Sequence, residues 1–129
     1  MVILFLAVND TDSLRADSLC ESGLSLLAQA EPAQAALAFR QAIAADPHCI
    51  EAHHGLVRAL RDSGRLEDSI AAALALTVLT PDDPLAHTAL SISLQTAGHI
   101  PQAEAAAGRA RILEWKLQLQ FPSPPESSS

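Results

Sequence analysis

Four side chains with metal-binding chemistry fall within one short stretch, His48, Cys49, His53 and His54. Imidazole and thiolate are the ligands zinc favours. Ligands on one helix share a face only when they stand three or four residues apart, and the adjacent His53 and His54 point in divergent directions. His53 belongs to a core-facing column and His54 to an open one, so buried and surface histidines are the economical reading and no metal is expected. A nucleophile built on Cys20 or Cys49 needs a histidine, a third group to orient it and an oxyanion site, and no turn here supplies one. A glycine-rich phosphate loop is also missing. The residues therefore indicate no enzyme, no catalytic residue and no cofactor. Recognition chemistry is left. Arg58 and Arg61, three apart on one helix face, can grip a carboxylate through paired N–H donors. The simpler alternative, and the one favoured here, is a solvated face on which they pair with Glu51 or Asp62.

The elements that position these groups follow from composition and period. Half of the 129 residues are apolar, only 3% are aromatic and tyrosine is absent. The apolar side chains are mostly Ala and Leu, strong helix formers, which argues for an all-α chain. A net charge of −7, with the basic residues scattered, argues against a nucleic-acid partner, because such binding depends on clustered Lys and Arg. Cys20 and Cys49 read as reduced thiols of a cytoplasmic protein rather than a structural disulfide. The apolar MVILFLAV is too short to span a bilayer and lacks a basic flank, so neither a membrane span nor a secretory signal is expected.

Along the chain the plan repeats every 34 residues. Pro47, Pro81 and Trp115 keep that interval, as do His53 and His87, Leu60 and Leu94, and Gly64 and Gly98. A helix-turn-helix unit of this period predicts an α-solenoid. Helices are expected over about 14–29, 32–45, 49–62, 66–79, 84–96 and 100–120. The run Asn9-Asp10-Thr11-Asp12-Ser13 reads as the first cap, Pro32 and Pro84 as first-turn residues, and Gly64 as a C-cap with positive φ. The core stripe should run through Ala35, Ala36, Phe39, Ala42 and Ile43. It should continue through Leu56, Leu60, Leu66, Ile70, Leu74 and Leu76, and then Leu90, Leu94, Ile100, Ala103, Ala107 and Ala110. Where proline ended the earlier pairs the third has Trp115, so the last helix is expected to run on to Phe121-Pro122. The organisation expected is an apolar N-terminal segment and cap over 1–15, a repeat domain over 16–121 (repeats about 16–49, 50–83 and 84–117) and a disordered Pro/Ser tail over 122–129. An N-terminus in register with the second helix of an earlier repeat suits an excerpt of a longer repeat protein, and the Ser-rich end argues against a further repeat downstream.

At these residues the chain resembles the tetratricopeptide repeat family. The small residue late in the first helix is Gly23, with Val57 and Ser91 in the same column. The alanine early in the second helix appears as Ala35, Ser69 and Ala103, and the bulky residue after it as Phe39, with only Ala73 and Ala107 later. The terminating prolines are Pro47 and Pro81. The usual aromatic near each repeat's start is replaced by Leu19, His53 and His87. The resemblance implies a right-handed α-solenoid of three repeats with an extended last helix, whose first helices line a concave groove that binds a peptide or protein segment. By position, the groove should include Leu24 and Leu27, then His54, Arg58 and Arg61, then Leu85, Thr88, Ile92 and Gln95. Some members clamp a partner's C-terminal carboxylate with Lys, Asn, Asn, Lys and Arg. Here Cys20, Leu24, Gly55, Leu85 and Ala89 stand at those positions, which argues against that clamp.

A final feature concerns the solenoid end, which exposes an apolar face unless something polar covers it. The last helix carries Ile112, Trp115 and Leu119 with few charges. A self-assembling scaffold that forms homo-oligomers through its ends is therefore the alternative to a groove-binding adaptor.

Overall fold

A computed structural model of the chain describes residues 2–122, with side chains from 11 onward. Six helices follow one another: α1 Val2–Ala28, α2 Pro32–Ala45, α3 Ile50–Asp62, α4 Leu66–Leu79, α5 Pro84–Thr96 and α6 Ile100–Gln120. Each helix packs on the next, and α3 also touches both α1 and α5. The fold is thus a right-handed α-solenoid of three helix-turn-helix repeats whose last helix is extended. α1, α3 and α5, the first helices of the repeats, share one side of the stack.

The turns within the three repeats have the same construction. Glu31 N–H donates to Leu26 O, Arg65 N–H to Leu60 O and His99 N–H to Leu94 O, each at 2.9 Å. This reverse bond satisfies a carbonyl that the helix end leaves orphaned, and it requires a left-handed residue just before the donor. Gly64 (φ 80°) and Gly98 (φ 88°) supply it without strain, whereas in the first repeat Ala30 must take φ 60°. A Cβ in that region costs about 1–2 kcal/mol. Ala30→Gly is therefore expected to raise stability by about 0.5–1 kcal/mol once the extra freedom of glycine in the unfolded chain is subtracted. A higher urea midpoint with an unchanged slope is the check.

The turns between repeats share a different device. His53 Nε2 lies 2.8 Å from Pro47 O and His87 Nε2 lies 2.8 Å from Pro81 O. The imidazole N–H thus holds the carbonyl of the proline that stops the preceding repeat. In the column where the family has an aromatic, histidine keeps the ring and adds a donor.

The core of the first two repeats is mostly alanine packed around Phe39, Leu56 and Leu60. Phe39 is fully buried, and a Cβ placed on Gly23 would lie 2.6 Å from its ring, with one on Gly55 closer still. The first two repeats therefore interlock through two glycines that leave room for one ring. Within and between the second and third repeats hydroxyls take over. Ser69 Oγ donates to Val57 O (3.0 Å) and lies 2.7 Å from Ser93 Oγ, and Ser91 Oγ donates to Ala103 O (2.8 Å). All three serines are buried, and among the described residues no buried side-chain polar atom lacks a partner.

Three expectations need correction. The first helix does not begin near Leu14 but at Val2, so Asn9–Ser13 lies inside it. Asp, Asn and Ser cost only tenths of a kcal/mol each inside a helix. They cap a helix only where the backbone leaves it, so the run alone does not force a start. Leu74 and Ile100 are not core residues, being 50% and 46% exposed. In α4 the buried stripe is Ser69, Ile70, Ala73 and Leu76, which turns Leu74 to solvent. In α6 it begins at Ala103, a turn after Ile100. The side chains of MVILFLAV and the tail expected beyond Pro122 lie outside the described residues.

Candidate functional site

The residues singled out for the groove separate into a cluster and three outliers. His54, Arg58 and Arg61 of α3 and Leu85, Thr88 and Ile92 of α5 surround one cavity of about 330 Å³, together with Val57 and Ala89. Their spacings, 54-58-61 and 85-88-92, are the three- and four-residue steps that keep one helix face toward its neighbour. The contact of α3 with α5 holds the two faces together. Of the outliers, Leu24 is exposed on α1, and Leu27 lines a separate recess with Ala30, Pro32 and Asp62. Gln95 lies between α5 and α6 beside Ser91 and Glu104.

The cavity has an apolar floor and a basic rim. Val57 is buried, while Leu85 and Ile92 are 62% and 42% exposed. Arg58 Nε lies 3.6 Å from Asp62 Oδ2, an exposed pair one turn along the helix, as the solvated-face reading anticipates. Such pairs contribute about 0.3–0.5 kcal/mol. Arg61 makes no ion pair among the described residues. Asp83, at the N-cap of α5, accepts the Leu85 N–H at 3.0 Å. Burial pushes the His54 pKa below its ordinary value, the Asp83 carboxylate pulls it back up, and His53 adds a smaller downward push. The site therefore presents aliphatic surface beside two guanidinium groups and a neutral imidazole at pH 7.

One of the cavity's residues escaped the sequence: Val57 stands in the column of small residues, which did not announce it as lining. Ala89 holds a groove position of the carboxylate-clamping members and lines the cavity without their arginine. Other candidate chemistry is dispersed. His53 is engaged with Pro47, and among the described residues no group of three or more His, Cys, Asp or Glu could hold a metal ion. Within the same residues no helix is long and apolar enough to cross a membrane.

Fold and cavity together define a short helical-repeat solenoid with an open face between its second and third units. The tetratricopeptide repeat profile matches residues 20–84, half of the chain. The chain belongs to the tetratricopeptide repeat family. No curated protein matches it. Solved structures of similar fold include the second TPR of Spaghetti (RPAP3) bound to HSP90 peptide SRMEEVD, with a TM-score of 0.74 at 14% identity, covering 81% of this chain and 96% of that one. The CopN-Scc3 complex aligns with a TM-score of 0.70 at 19% identity, covering 84% and 69% respectively. The Yersinia enterocolitica type III secretion translocator chaperone SycD, in an alternative dimer, gives 0.74 at 16% identity, covering 85% and 80%. At these identities the likeness is one of fold.

Proposed function

We propose that this protein is a non-catalytic interaction module that holds an extended segment of a partner protein in the groove between α3 and α5. The segment that suits the site carries an aliphatic side chain next to a carboxylate. One observation carries the reading: Leu85 and Ile92 stand open to solvent across from Arg58 and Arg61, around a single cavity. Exposed aliphatic surface rimmed by charge marks a binding site more often than an accident of packing. The peptide seen on the Spaghetti repeat supports the class of ligand. The grip itself differs from a carboxylate clamp. Of the five positions, Cys20 is buried, Gly55 lies under Phe39, and Leu85 and Ala89 supply apolar lining. The test is capture from a library of short peptides varied in acidic and aliphatic content. Wild-type protein should select the mixed sequences, and Arg58→Glu with Arg61→Glu should lose them at unchanged helical content. Equal capture by both proteins overturns the groove assignment.

A second reading rests on α6, where Trp115 and Phe121 are 62% and 76% exposed and Ile112 and Leu119 lie on the Trp115 stripe. A second copy that stacks on this stripe would remove it from water. Trp115→Ala with Leu119→Ser is then expected to convert a dimer or longer polymer into monomer. Light scattering over a hundredfold range of concentration reads the change, and wild-type protein that is monomeric throughout excludes this assembly.

A further inference from the structure

Cys20 and Cys49 are 29 residues apart in the chain, yet their Sγ atoms lie 3.7 Å apart. Both are free thiols; Cys20 is buried in α1 and Cys49 is half-buried at the residue that precedes α3. A disulfide bond is about 2.0 Å long, so the sulfurs need about 1.7 Å of further approach. Cys49 stands outside the helical turn, with extended backbone (φ −74°, ψ 94°), where its side chain is not locked against a preceding turn. We propose that Cys20 and Cys49 form a redox modification site, a dithiol that a hydroperoxide oxidises reversibly to a disulfide joining α1 to the start of α3. The site does not depend on what the groove binds.

Exposure sets the order of the chemistry. The Cys49 thiolate attacks the terminal oxygen of the hydroperoxide, the O–O bond breaks, and the alkoxide takes a proton from water as Cys49 becomes a sulfenic acid. The Cys20 sulfur then attacks the Cys49 sulfur. The S–S bond forms, the S–O bond breaks, and the departing hydroxide leaves as water with the Cys20 proton. Overall two thiols and one hydroperoxide give one disulfide, one alcohol and one water. The thiols lose two electrons and the peroxide gains them. Cys20 enters only at the second step, where its proton must pass to the departing hydroxide as its sulfur attacks, because the thiolate is the nucleophile. Burial first, then the hydrogen bond and charge of Cys49, then Glu51 and Asp17, push its pKa up to about 12. It thus stays a thiol, inert toward peroxide on its own, and keeps the proton that the leaving hydroxide needs. A small thiol returns the pair to its reduced form by exchange.

The experiment treats the folded full chain with hydrogen peroxide at neutral pH and follows intact mass and peptide maps. The expected product is a monomer lighter by two hydrogens, with the Cys20 and Cys49 peptides linked, and dithiothreitol restores the original mass. Under the same exposure Cys20→Ser should leave a Cys49 sulfenic acid that dimedone traps, and Cys49→Ser should remain unmodified. Three results on wild-type protein overturn the proposal: Cys49 carried on to sulfinic acid while Cys20 stays a thiol, chains linked to one another through Cys49, or the internal link appearing only in urea.

Discussion

Phe39→Ala is expected to cost about 3–5 kcal/mol, the usual loss when a fully buried aromatic ring is deleted. For a chain of this size that lowers the unfolding midpoint by roughly 10–25 °C. The loss sits at the high end because of what surrounds the ring. Gly23 from α1 and Gly55 from α3 approach it with no Cβ of their own, so the vacated volume is bounded by helix backbones, which cannot collapse into it as side chains do. The complementary variant separates this account from a generic core effect. Gly55→Ala should gain about 1 kcal/mol of helix propensity and lose about 1–3 kcal/mol to overpacking against the ring. It is destabilising in the wild type, and with Phe39→Leu in place it should become neutral or stabilising. Chemical denaturation of the four proteins of this double-mutant cycle reads the coupling. Additive effects would mean that the ring does not fill the space between those helices.

From Pro32 onward the expected helix bounds agree with the structure to within one residue, because the stops rest on residues with fixed backbone demands. Pro47 and Pro81 lack the N–H that a continuing helix needs, and Gly64 and Gly98 take positive φ. The first repeat was harder to read. Its turn places Ala30 in the glycine column, and its helix runs through five residues that look like a cap. Core assignment failed at Leu74 for a related reason: α4 is apolar almost all round, so the stripe cannot be chosen from the pattern without the neighbours that bury it. The cavity residues were legible as far as repeat position decides which side of a first helix faces the groove. Contacts between elements distant in the chain were not. Nothing in the spacing of Cys20 and Cys49, or of Ser69 and Ser93, foretells that they touch, since the stacking offset of whole repeats sets those distances.

For the groove, Arg58→Glu with Arg61→Glu is expected to weaken capture of an acidic-aliphatic peptide roughly 10- to 100-fold, about 1.4–2.7 kcal/mol. Exposed ion pairs contribute about 0.2–1 kcal/mol each, and reversal replaces attraction with repulsion at two positions. Added salt should weaken wild-type binding and strengthen that of the variant, because it screens attraction in one and repulsion in the other, with a Debye length of only about 10 Å at 0.1 M. The affinity left at high salt measures the Leu85 and Ile92 floor. Acidification provides a further test with opposite signs. In the free protein His54 has a folded pKa below its unfolded value of 6.5, so as the pH falls through 6.5 the unfolded chain takes the proton first. The histidine's contribution to stability is therefore complete above 6.5 and declines on acidification. In the complex a ligand carboxylate joins Asp83 in favouring the imidazolium, so affinity should rise between about pH 7 and 5, before the carboxylates titrate near 4. Stability that falls while affinity rises, with the rise lost in His54→Gln, places the ligand's charge beside α3. Affinity that declines with stability would put the carboxylate elsewhere and remove the reason for assigning Arg58 and Arg61 to recognition.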